Sequence, residues 1–246
     1  AGGNVGNDGV IDVSGTRGGR ATIASERASN TGSILADGSA GAGGDVSVTT
    51  REGYHDTRGS LVSAKGATDG GNIRVEATGD EARIYTSSTL DVRGLTGIGG
   101  SVVVTSDELY VMGSQILADG AGGGGEVFLG GGFQGSDPGI ANARSLHVNA
   151  SALISASATQ VGDGGLVVLW ADGATVFHGG IAAKGGAAGG DGGFLEVSGK
   201  ESVSFGGFAT AEAPIGNAGT LLLDPKNIVI DIGGGGSAAS RHHHFL

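Results

Sequence analysis

The ionisable side chains are 25 Asp and Glu, 14 Lys and Arg and six His, with no Cys. Carboxylates in that number could serve glycoside chemistry, which needs two acids roughly 5–10 Å apart in a groove. Asp12 and Asp91 occupy one file of the repeat described below, but three coils apart, too distant to share a sugar. Asp163, Asp172 and Lys184 are the set a lyase or hydrolase would have to gather. No Gly-x-Ser-x-Gly elbow, His-Glu-x-x-His or phosphate loop ending in Gly-Lys-Ser/Thr occurs. Two Gly-x-Gly-x-x-Gly matches, at Gly120 and Gly130, open no helix and follow from composition. The nonapeptide beginning at Gly189 has Phe194 where a calcium-binding roll requires Asp. His55, His147 and His178 are isolated, and His242, His243 and His244 sit in an aperiodic tail. The reading is therefore a non-enzyme, with no catalytic residues, no metal and no cofactor. A net charge of −11 argues against nucleic acid, which needs a basic surface. The longest apolar run, Leu166 to Ala171, is far too short to span a membrane.

What positions these side chains is a repeat. Glycine makes up 54 of 246 residues, and only three are proline. Aligned on Gly19, Gly44, Gly71, Gly100, Gly125, Gly165, Gly193 and Gly219, the intervals are 25, 27, 29, 25, 40, 28 and 26 residues. Two and four places after each anchor stand apolar residues, from Ala21 and Ile23 through Val46 and Val48 to Leu221 and Leu223. Such alternation marks a half-buried strand. A second strand precedes each anchor in the form apolar-x-small-x-Gly, as in Ile34–Gly38, Val62–Gly66, Ile116–Gly120 and Ile181–Gly185. A third, weaker one includes Ala82–Tyr85, Leu109–Met112, Leu146–Val148, Thr175–Phe177 and Ser202–Phe205, and its signal is poor in the first two copies. Three short strands cannot close a core alone, but stacked copies can. The pattern predicts an all-β fold, a right-handed parallel β-helix of about eight coils of roughly 27 residues. Glycine is expected at the corners to supply positive φ.

The 40-residue interval predicts an insertion. The chain accordingly divides into coils over 1–129, an insertion loop packed on the solenoid over 130–150, coils over 151–232 and a glycine-rich flexible tail over 233–246. Near the insertion, outward positions turn apolar: Val103, Phe128, Leu166, Val168, Phe194 and Leu222. A stripe of that size should be covered, by the insertion with Phe133 and Ile140 or by a partner. A second outward file, just before the corner, carries Asp37, Lys65, Arg93, Asp119 and Lys184, with Ser14, Ser157 and Glu212. Asp37 beside Lys65 and Arg93 beside Asp119 would be favourable neighbours on a solvated ladder or a sugar-binding face.

The steps Trp170-Ala171-Asp172-Gly173, Glu196-Val197-Ser198-Gly199-Lys200 and Leu223-Asp224-Pro225-Lys226-Asn227-Ile228, with Phe133-Gln134-Gly135 in the insertion, resemble the late β-helical shaft of filamentous-haemagglutinin-like exoproteins. These are large adhesins exported by two-partner secretion. The likeness covers about Gly122 to Ile232, and upstream it rests on the repeat alone. The family's secretion domain carries Asn-Pro motifs that this chain lacks, so the resemblance implies shaft and not export signal. The start at Ala1 without a signal peptide suggests a piece of something longer. The resemblance implies an extracellular, cell-surface or biofilm-matrix role in contact with polysaccharide, host or neighbouring cells. A filament subunit stacking end to end through exposed strand edges is one alternative. A carbohydrate-active β-helix enzyme is the other.

Overall fold

The computed structural model describes residues 2–225 and the backbone of Ile228–Ile230. The expected tail over 233–246, with its three histidines, lies outside the described residues. The fold is an all-β parallel solenoid of about seven turns, with about 28 residues per turn. Its third face is one sheet of eight strands, from Val10–Asp12 through Ser33–Leu35, Leu61–Ser63, Thr89–Asp91, Gln115–Leu117, Leu153–Ser155 and Gly180–Ala182 to Phe208–Thr210. Eight strands bound seven windings, one fewer than eight coils.

The first and second faces belong to a single sheet. After each glycine doublet comes a first-face strand, including Asn72–Ala77, Ser101–Thr105, Glu126–Leu129, Leu166–Ala171 and Phe194–Gly199. The second face holds Arg83–Thr86, Glu108–Val111, Ser145–Val148, Ala174–Phe177 and Ser202–Phe205. In the two earliest full coils these faces are one bent strand, Arg20–Asn30 and Asp45–Asp56. The register slips between Ser25 and Arg27, an irregularity of the kind that bends a strand. That continuity is why no separate strand signal shows in the first two copies.

Inside, aliphatic side chains stack in columns. Val46, Ile73, Val102, Val127, Val167 and Leu195 are successive partners in register. All six are buried. At about 1.5–3 kcal/mol for each fully buried large aliphatic side chain, such columns supply the main driving force for winding.

The corners correct one expectation. None of the anchor glycines takes a positive φ. Glycine is required there because two backbones pass too close for a Cβ. A methyl group on Gly70 would lie 1.8 Å from the carbonyl oxygen of Val92, and one on Gly71 would lie 2.1 Å from that of Gly44. The approach closes each corner: Gly71 N donates to Ala64 O at 2.7 Å and Gly100 N to Val92 O at 2.7 Å. Positive φ occurs elsewhere, notably at Gly130 and Gly135 around the insertion.

Candidate interaction surfaces

The outward residues of a parallel stack form files one residue wide, repeated at the strand spacing of about 4.8 Å. The file before the corner is held by hydrogen bonds running from coil to coil. Ser14 Oγ accepts from Asp37 N at 3.0 Å, and Asp37 Oδ1 from Lys65 N at 2.9 Å. Asp119 Oδ1 accepts from Ser157 N at 2.8 Å, and Ser157 Oγ from Lys184 N at 3.1 Å. Lys65 Nζ stands 3.5 Å from Asp37, and Lys184 Nζ stands 2.5 Å from Glu212, whose carboxyl it holds below the usual range. Arg93 does not reach Asp119. It forks back onto Asp91 at 2.9 and 2.7 Å, because that carboxylate is only two residues away in the same coil. Several of these side chains thus cap the backbone of a neighbouring coil.

The apolar file lies on the first face. Val103 and Val168 are buried, while Phe128, Leu166, Phe194 and Leu222 are half-buried. The excursion that reaches them runs over residues 130–144, since Ser145–Val148 is already a regular second-face strand. Phe133 meets Phe194 edge-on at 5.6 Å. Ile140 is buried, Arg74 donates to Gly139 O at 2.6 Å, and Thr105 Oγ1 donates to Ala141 O at 2.5 Å.

Two outward residues under this loop escape a reading limited to apolar positions near each anchor. Trp170 is 7% exposed and donates from its indole to Asp172 Oδ1 at 3.2 Å. Its ring fills the space where a Cβ on Gly135 would lie 2.4 Å from Trp170 Cε2. Glu196 stands in register between Val168 and Leu222 and is fully buried. Both its oxygens accept from Gln134 N at 3.2 Å, and Gln134 has a φ of 51°. Burial pushes the Glu196 carboxyl upward, against the opposing effect of that N–H. The available sequence signal was an acid in a column whose other members from Val103 onward, Phe128, Val168 and Leu222, are apolar.

The second face carries a stacked aromatic file. The rings of Tyr85 and Tyr110 lie 4.6 Å apart at 6°, and those of Tyr110 and His147 lie 5.2 Å apart at 8°. Beside them Glu108 bonds Arg83 at 2.7 Å and also pairs with Arg144, which together hold its carboxyl low, Arg144 most strongly. Because the rings stack along the rod, the interior ring faces cover one another and edges point outward.

Two open grooves flank the first face. One, of about 520 Å³, follows the glycine doublets of the later coils. The other, of about 550 Å³, lies at the corner with Asp107, Arg144, Asp172 and Glu201. Asp172 therefore lines a different groove from Asp163, and Lys184 lines neither, so the three are not gathered. Among the described residues, no group of three or more His, Asp or Glu is placed to hold a metal ion. None of the described helices is long and apolar enough to cross a membrane.

No protein-family model matches the chain, and no curated protein matches it. The fold is similar to that of the HMW1 secretion domain from Haemophilus influenzae. The TM-score is 0.52 at 19% sequence identity, covering 93% of this chain and 66% of that one. The chain thus spans just under two thirds of that domain's length, and at this identity the likeness concerns the fold.

Proposed function

We propose that this chain is a rigid structural segment of a secreted bacterial surface or biofilm-matrix adhesin, a rod whose outward files make many weak contacts with polysaccharide or neighbouring cells. The observation that carries the reading is the parallel pairing of strand on strand from coil to coil through both sheets. It holds side chains at fixed spacing along roughly 34 Å of axis, taking seven steps of about 4.8 Å. Regular spacing turns weak single contacts into useful avidity. The likeness to an exported protein's secretion domain supports a place outside the cell. The test is retention of extracellular polysaccharide or of cells on the immobilised chain, with and without residues 233–246. Binding that survives tail removal is expected, and no binding to any glycan, cell or identical rod would overturn the proposal.

A second reading draws on the same neighbour, a secretion domain. Here the segment would act in export instead of forming shaft. Deleting it from its parent protein separates the two: continued export supports shaft, and loss of export supports the second reading.

A further inference from the structure

The floor of the 520 Å³ groove is built by the glycine doublets 124–125, 164–165 and 192–193, followed by Ala218 and Gly219. A Cβ there would meet backbone, as at Gly164, where it would lie 2.2 Å from Ala183 O, so this floor stays flat. Much of its backbone is already hydrogen-bonded between or within coils: Leu166 N donates to Gly125 O at 3.0 Å, Phe194 N to Gly165 O at 2.9 Å and Gly165 N to Ala156 O at 2.7 Å. The floor therefore offers shape more than hydrogen bonds. Asp163 and Asp191 form one wall, and Glu126, Leu166 and Phe194 form the other.

The charge of the groove is of one sign. No Lys or Arg lines it. The Glu126 carboxylate has no hydrogen bond or ion pair among the described residues, Asp163 uses only Oδ1, accepting from Asp191 N at 2.7 Å, and Asp191 accepts from Asn217 N at 2.7 Å and from the Asn217 amide at 3.3 Å, with no cation beside any of the three. The earlier coils differ at the file that carries Glu126. There Arg20 and Asp45 pair at 2.9 Å, and Asn72 donates to Asp45 at 2.9 Å, so polar groups satisfy one another. Only the later coils combine unneutralised carboxylates with apolar side chains along a flat floor.

We infer that this groove binds a linear amino-sugar polymer carrying protonated amines. Carboxylates recurring along the axis would meet amines recurring along the glycan. Leu166 and Phe194 would take the apolar C–H faces of the rings. The inference deepens the polysaccharide-contact reading and rests on it.

The test is binding of a glucosamine hexamer to the full chain at mildly acidic pH, against the neutral N-acetylglucosamine hexamer and hexalysine. In the triple variant Glu126→Gln, Asp163→Asn, Asp191→Asn, an acceptor oxygen remains at each capping position, so the coils should stay wound; circular dichroism checks this. Expected are binding of the glucosamine hexamer in preference to both other probes, at least a tenfold loss in the triple variant, and a further loss for Phe194→Ala. Equal binding by hexalysine together with indifference to Phe194→Ala would make the groove a basic-peptide surface and overturn the inference. Undiminished binding by the folded triple variant would overturn it as well. Should other glycans bind while the triple variant changes nothing, only the groove assignment fails. Should no glycan or cell bind at all, the adhesive reading fails with it.

Discussion

Replacing Gly70 by alanine tests why the corners need glycine. The new methyl carbon would sit 1.8 Å from Val92 O and 2.4 Å from Gly100 N, both backbone atoms, where ordinary contact begins at 3.4 Å. No side chain can swing aside to make room. Relief requires moving two adjoining coils apart by more than an ångström, which breaks the bonds between them, Gly70 N to Ile98 O at 2.9 Å and Ser101 N to Gly71 O at 3.0 Å. Overpacking of about 1–3 kcal/mol and a buried pair left unsatisfied at about 1–3 kcal/mol put the cost at about 2–6 kcal/mol. Two controls separate sterics from backbone conformation. Gly59 has a φ of 96° with nothing within 4 Å of a Cβ, so alanine there should cost about 1–3 kcal/mol from strain alone. Gly9 has neither restriction, and alanine should fall within about 0.5 kcal/mol of the parent. Urea unfolding followed by far-ultraviolet circular dichroism gives the order, with limited proteolysis to detect opening confined to a few coils. The steric explanation is refuted if Gly70→Ala lies within about 1 kcal/mol of Gly9→Ala, or if Gly59→Ala is the most damaging of the three.

Three further outcomes are expected. Glu196 has a folded pKa raised above its unfolded value, chiefly by burial, so its contribution is fully present below the unfolded pKa and fades as pH rises through the folded one. Glu196→Gln should therefore gain stability relative to the parent as pH rises from acid to neutral, and denaturation curves that stay parallel across that range would contradict this. Trp170, under the insertion, should resist acrylamide quenching; Gly135→Ala, which collides with its ring and sits at a φ of 61°, should raise quenching and shift emission to the red, whereas an unchanged spectrum would show that the loop does not seat on the indole. A double-mutant cycle on Tyr85 and Tyr110 should return a coupling of about 0.5–1.5 kcal/mol, and a value near zero would deny the stack any energetic role.

The winding was legible because its cause is local and repeated. A doublet of glycines followed by alternating aliphatics reports both the corner and the inward column, and Val46, Ile73, Val102 and Val127 do stack. The reason for the glycines was not legible, because close approach is a property of neighbouring coils and a single repeat contains no trace of it. Arg20–Asn30 and Asp45–Asp56 hid their second-face strands by continuing through the bend. Among candidate surface residues, the positions could be read and the partners could not. Asp37 meets Lys65 as spacing suggested, while Arg93 chose Asp91, which lies within easier reach two residues back in its own coil. The Tyr85–Tyr110–His147 stack needed the register across a 40-residue coil, and the insertion obscures that register in the sequence.

The stacking of coils can be measured directly, because the chain has no cysteine to compete with introduced spin labels. Arg20, Glu126 and Thr220 are exposed and belong to one outward file, four and seven coil steps along the axis when counted from Arg20. Pulsed dipolar spectroscopy on cysteine pairs at residues 20 and 126, and at 20 and 220, should give narrow distributions near 19 Å and 34 Å, at about 4.8 Å per step. Broad distributions, or separations that do not grow in proportion to the number of coils, would contradict the solenoid and every surface assignment built upon it.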